Sequence, residues 1–169
     1  MNDSEECADN EVKDKLQSWS SGYHRLIITG IGNPIRKDDF IGVLIVRGLK
    51  DKVPSSVYLV ECETVPESFL EPIVEFNPSH ILIIDAALLN LEHGASKLVS
   101  PEELEERQAV STHVLPLRIF CQYLAQTTEA KIALLLIQPK DTSFGEGLSS
   151  ELTNTAEHLV KVLSTILEA

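Results

Sequence analysis

The chain has 169 residues, about one ordinary domain, and 43% of them are apolar, enough for a real core. Lys plus Arg number 14 and Asp plus Glu 26, and the resulting net charge of −12 repels phosphate backbones and argues against a nucleic-acid partner. No apolar run approaches the roughly 20 residues of a spanning helix, the N-terminus lacks the basic–apolar–small order of a signal peptide, and three widely spaced cysteines without a Cys-x-x-Cys pair argue against a thiolate zinc site and for a reducing cytoplasm.

Residues 1–24 are polar and acidic and read as an N-terminal extension to a single domain over 25–169. Val12, Leu16 and Trp19 fall at helical spacing, which predicts one weak helix over 10–20 with Trp19 as its anchor. The core pattern starts at Leu26, so loss of 1–22 is expected to leave the fold intact at modest cost.

A β-branched apolar run predicts a strand over 25–30, ending in Gly30-Ile-Gly32. Ile41, Leu44, Ile45 and Leu49 recur at helical spacing and predict a helix over 39–51. Residues 30–42, Gly-Ile-Gly-Asn-Pro-Ile-Arg-Lys-Asp-Asp-Phe-Ile-Gly, therefore form a long strand-to-helix turn with Asp38 and Asp39 near the helix start. Either aspartate could be an N-cap, but a cap does not require two. Gly30-x-Gly32 also hints at dinucleotide binding. The third glycine is missing, however, and acids stand where a diphosphate would sit.

Val57–Val60 predicts the second strand. Thr64 to Glu67 offers a capping box with Pro66 at the first position of a helix running to about Phe76, in which Pro72 implies a kink or a later start. Ile81–Ile84, apolar without alternation, predicts a central strand ending in Asp85-Ala86. Residues 94–99 read as an edge strand and 101–106 as an acidic turn, with Glu102, Glu103, Glu105 and Glu106 on a solvated face. Ser111-Thr112-His113 precedes a helix over 114–125, Ile132–Ile137 is another buried strand, and a last helix starts at Ser149 or Ser150. Its inner stripe is Leu148, Leu152, Ala156, Leu159, Leu163 and Ile166.

Alternating strands and helices predict an α/β fold. With the first strand between the second and third, the winding reverses beside it, and ligands bind outside the strand C-termini at such a reversal. Asp38 and Asp39 follow the first strand and Asp85 ends the third, so topology brings carboxylates to one crevice. Alone, His113 reads as part of a capping turn. With two aspartates it completes an oxygen, oxygen and nitrogen donor set suited to nickel, zinc, copper or iron. His24, His80, His93 and His158 read as surface or satisfied residues, and Cys62 and Cys121 as packed. Gly-x-Ser-x-Gly and Walker-type motifs are absent from the sequence.

Gly30 to Gly42 resembles the Gly-x-Gly-Asn-x-x-x-x-Asp-(Asp/Glu)-Gly-x-Gly opening of the nickel–iron hydrogenase maturation proteases. The likeness continues through Pro66-Glu67, Ile83-Ile84-Asp85-Ala86, Ser111-Thr112-His113 with Pro116-Leu117, and Ile137-Gln138-Pro139. The last two motifs look most like the branch that serves formate-hydrogenlyase-type and related energy-converting hydrogenases. The resemblance implies an α/β/α sandwich around a twisted five-stranded, mixed, mostly parallel sheet. It implies an endopeptidase that removes a C-terminal extension from a hydrogenase large-subunit precursor after nickel insertion, nickel arriving with that precursor. It puts the catalytic and metal-contacting positions on Asp39, Asp85 and His113, with Asp38 as a possible accessory. Phe40 departs from the glycine usual in that motif, and the N-terminal extension is unusual for it. A non-catalytic nickel-handling protein and a nucleotide-binding α/β domain are the rival readings.

Overall fold

The computed structural model describes residues 3–106 and 114–168. Five strands, β1 (Leu26–Ile31), β2 (Val57–Glu63), β3 (His80–Ala86), β4 (Ser96–Val99) and β5 (Lys131–Ile137), form one sheet in the order β2-β1-β3-β5-β4. The β1–β2, β1–β3 and β3–β5 pairs are parallel, and β4 runs antiparallel to β5 at the edge. This is the mixed, mostly parallel sheet expected, with β1 between β2 and β3.

The sheet is covered on both faces, which is why its central strands carry unbroken apolar runs. Leu26 and Ile28 of β1, Leu82 and Ile84 of β3, and Leu135 and Ile137 of β5 pack under α1 (Asp3–Ser20), α2 (Ile41–Gly48) and α6 (Ser150–Glu168). The alternate residues, Ile27, Ile81, Ile83, Leu134 and Leu136, pack under α3 (Leu70–Glu75), α4 (Pro101–Glu106) and α5 (Val114–Thr127). The α6 stripe matches the sequence reading at Leu152, Leu159 and Leu163, and Val162 and Leu167 join it.

Several elements differ from their sequence reading. The first helix begins at Asp3, and its Val12 and Leu16 belong to the main core, Leu16 with 1% of its surface exposed. Trp19 packs at the rim of the same core, and Tyr23 Oη donates to the Leu167 carbonyl at 3.1 Å. The helix thus joins the layer formed by α2 and α6. The capping box at Thr64–Glu67 does not form: a short 3-10 turn, Pro66–Phe69, opens without a side-chain cap, and α3 starts later, at Leu70. That later start resolves Pro72, which lies in the first turn of α3, where no intrahelical N–H is needed. The acidic stretch 101–106 is helical rather than a turn: Ser100 and Glu103 cap it reciprocally, and Leu104 is buried beneath. His80, read as a surface or satisfied residue, is 3% exposed, because the Trp19 ring packs edge-on against it at 5.2 Å.

Candidate active site

The parallel strands deliver their following loops to one end of the sheet. Gly30 is level with Ile84 in the β1–β3 ladder, so Asp85 lies one residue beyond, at the end where the 32–40 turn begins. Two glycines let that turn fold back on the strand ends. Gly32, at φ 154°, has no room for a Cβ because the Asp39 backbone oxygen and Phe40 Cα occupy the space. Gly42 lies directly against the Ile84 and Ile31 carbonyl oxygens, at the start of α2. These close approaches are between backbone segments of this chain, so the glycines serve the turn rather than a dinucleotide.

Asn33 starts the turn, accepting from the Ile35 N–H at 3.1 Å through Oδ1, while its own N–H donates to Asp39 Oδ2 at 2.9 Å. The 3-10 segment Lys37–Phe40 then carries both acids, Asp38 with 0% and Asp39 with 4% of its surface exposed. Phe40 sits at φ −83° and ψ 1°, ordinary backbone that does not require glycine, and its ring lies under the Arg47 guanidinium at 5.5 Å. The departure from the family motif at this position therefore adds no strain to the turn.

Asp38 and Asp39 have separate surroundings. The Asp38 carboxylate accepts four hydrogen bonds from the far side of the sheet end. The donors are Lys140 N at 3.0 Å, Asp141 N at 2.8 Å, Ser149 N at 2.7 Å and Ser149 Oγ at 2.9 Å. Such a set satisfies a fully buried carboxylate. Asp39, one residue on, is bonded by the turn itself.

Asp85, the last residue but one of β3, has 0% of its surface exposed. By strand alternation its side chain falls on the face of Ile81 and Ile83, the face that α5 covers. His113, which precedes α5 in sequence, lies outside the described residues, and so do Ser111 and Thr112. Among the described residues no group of three or more His, Cys, Asp or Glu is placed to hold a metal ion. The structure therefore brings the segments bearing Asp39 and Asp85 to one sheet end.

Gln138 is a site-organising residue whose role the sequence reading missed. Buried just after β5, its Oε1 accepts from Leu89 N at 2.7 Å and its Nε2 donates to the Pro139 carbonyl at 3.1 Å. It thereby fixes the loop that follows Asp85. The Gln138-Pro139 pair is its only local signal, because the donor that ties it to the loop after Asp85, Leu89 N, lies 49 residues away. The buried thiols of Cys62 and Cys121 are both pushed up to about 12, chiefly by desolvation, which fits packed residues and not nucleophiles. No helix among the described residues is long and apolar enough to cross a membrane.

Comparison with known proteins agrees with this geometry. A family model described as hydrogenase maturation protease (HycI) matches residues 43–166. A Methanocaldococcus jannaschii chain assigned to the hydrogenase maturation proteases is 34% identical, over 93% of this chain and 96% of that one. The hydrogenase 3 maturation protease of Escherichia coli is 23% identical, over 78% of this chain and 83% of that one. The crystal structure of the nickel–iron hydrogenase maturation protease HycI from Thermococcus kodakarensis superposes with a TM-score of 0.84 at 35% identity, covering 92% of this chain and 99% of that one. That coverage leaves fewer residues unmatched than the 24 of the N-terminal segment, so part of the segment has a counterpart there. The chain belongs to the hydrogenase maturation protease family and is a peptide-bond hydrolase of that family.

Proposed function

We propose that the protein is the endopeptidase that removes the C-terminal extension of a nickel–iron hydrogenase large-subunit precursor after nickel has been inserted. The observation that carries this reading is the convergence of the Asp39 turn and the Asp85 strand end, held by the Gly42–Ile84 approach, in a chain of this family. Asp39, Asp85 and His113 form the metal-reading set: two hard oxygens and an imidazole suit a divalent nickel ion that still has open positions. Nickel comes with the precursor as part of the substrate, so cleavage acts as a checkpoint on metal loading. A metal or carboxylate in that crevice activates the water that attacks the peptide carbonyl. The precursor is of the formate-hydrogenlyase-type or related energy-converting branch, a reading supported by the Ser111-Thr112-His113 and Gln138-Pro139 motifs. The reaction takes place in the cytoplasm, in line with the sparse, unpaired cysteine spacing.

Co-expression tests this. The large subunit should migrate faster on a denaturing gel when this chain and nickel are both supplied, and at full length when either is withheld. An unchanged length under all conditions would refute the protease assignment for that precursor, and nickel binding without shortening would point to a metal-handling protein.

A further inference from the structure

Phe144 is 80% exposed, yet it stands on one of the most heavily tethered loops of the molecule. The 138–149 loop is tied at both ends to Asp38, through Lys140 N and Asp141 N on one side and Ser149 N and Oγ on the other. Its middle is tied to the turn before Asp38. Gly145 N donates to the Ile35 carbonyl at 2.9 Å, Lys37 N donates to the Gly145 carbonyl at 3.1 Å, and Arg36 Nε donates to the Thr142 carbonyl at 2.8 Å. Lys37 Nζ also pairs with Asp141 at 2.6 Å, and Asp141 in turn accepts from Ser143 N and Oγ. The bridge between Arg36 and Gly145 is parallel, so Ile35, 46% exposed, stands level with Phe144.

An aromatic held in water by a rigid loop loses little conformational entropy when a partner covers it, which is the property of a binding anchor. The place of the loop decides the partner. Asp38 is the immediate neighbour of Asp39, so the clamp joins the loop to the turn that carries the proposed site. A chain reaching Asp39 with its scissile bond lies beside this loop. We infer that Asp38 is a positioning residue, and that by clamping the 138–149 loop it presents Phe144 and Ile35 as an apolar anchor for the hydrogenase large-subunit precursor. Asp38 then takes no part in metal contact or in bond cleavage, since its carboxylate is committed to the loop. This inference rests on the proposed function for the identity of the partner.

The test measures processing kinetics and direct binding of the nickel-loaded precursor for the wild-type chain, Phe144→Ala, Ile35→Ala, Asp38→Asn, and Tyr123→Ala as an exposed control on α5. Amide hydrogen exchange is followed in parallel. Phe144→Ala should raise KM and the dissociation constant about tenfold, with little change in kcat and an unchanged melting temperature. Asp38→Asn should speed exchange at the Ser149 amide and raise KM, because one amide oxygen can replace only the Oδ2 acceptor and leaves Ser149 N facing an NH2 group. If Asp38→Asn does not fold, Ser149→Ala removes one of the four bonds and should produce the same shift in smaller measure. Equal KM for wild type and Phe144→Ala, with wild type active, would overturn the inference and leave the proposed function standing. If the wild type binds the precursor without shortening it, the proposed function fails, and weakened binding by Phe144→Ala still upholds the anchor. Absence of any binding by the wild type would overturn both.

Discussion

The α carbon of Gly42 rests against the carbonyl oxygen of Ile84, the residue before Asp85. This approach seats the start of α2 on the C-terminal ends of β1 and β3. Gly42→Ala would drive a methyl into two backbone carbonyls, Ile84 and Ile31, that the central strands hold in place. We expect a loss of about 3 kcal/mol in denaturant unfolding, at the upper end of typical overpacking costs. Processing should fall as well, because the Asp39 turn and the Asp85 strand end are pushed apart.

The N-terminal helix contributes to the core through Val12 and Leu16. Leu16→Ala should cost about 2–5 kcal/mol, the range for a buried leucine that leaves a cavity. Deleting 1–22 should cost more than that, because it also uncovers His80 and the surfaces of β4 and α6. Chemical denaturation of the truncated chain checks this. A midpoint close to wild type would contradict a core role for the helix.

The strands that bear the site were legible in the sequence because their signals are local. Ile81–Ile84 and Ile132–Ile137 are apolar without alternation, and only a doubly covered sheet makes that pattern useful. The α6 stripe and the position of Asp85 at a strand end followed in the same way. What was missed depended on distant partners. Asp38 and Asp39 look alike in sequence. Their different surroundings, a carboxylate gathering the 138–149 loop and one bonded by its own turn, depend on donors 102 to 111 residues away. His80 read as a surface or satisfied residue because nothing near it in sequence announces that Trp19, at the end of the first helix, lies against it. The capping box at Thr64–Glu67 matched a pattern, but the chain there enters a 3-10 turn with Val65 at the cap, which leaves Thr64 outside the capping position.

His80 makes stability pH-dependent. Burial first, then Lys131 and also His24, push its imidazole below the ordinary 6.5, while a bond to the Trp19 backbone works the other way. Ser79 Oγ lies 3.1 Å from its Nδ1. The unfolded chain then takes up a proton at higher pH than the folded one. The contribution is intact above pH 6.5 and is lost as the pH falls from there through the lowered folded value. Melting temperature should therefore decline between pH 7.5 and 5.5, and His80→Gln should flatten that part of the profile. Equal slopes for the two proteins would contradict it.

Cys62 and Cys121 should be inert as thiols. In a Cys7→Ser background, the native protein should react with a thiol reagent such as Ellman's only after unfolding, since both groups are buried and pushed up to about 12. Titration of one thiol per chain under native conditions would contradict this. Processing should likewise survive Cys121→Ala.

The central claim is that Asp39, Asp85 and His113 read nickel in the precursor and that cleavage depends on that reading. The most direct measurement incubates purified nickel-loaded and nickel-free precursor with the wild-type chain, Asp39→Asn, Asp85→Asn and His113→Ala, and follows precursor length beside each variant's melting temperature. Asparagine keeps the shape of each acid, including an oxygen for the Asn33 N–H, but removes the charge that a divalent ion needs. The account predicts that the wild type shortens only the nickel-loaded precursor. The three variants should melt within about 5 °C of wild type and leave the precursor at full length. Cleavage of nickel-free precursor by the wild type, or full processing by His113→Ala, would contradict it.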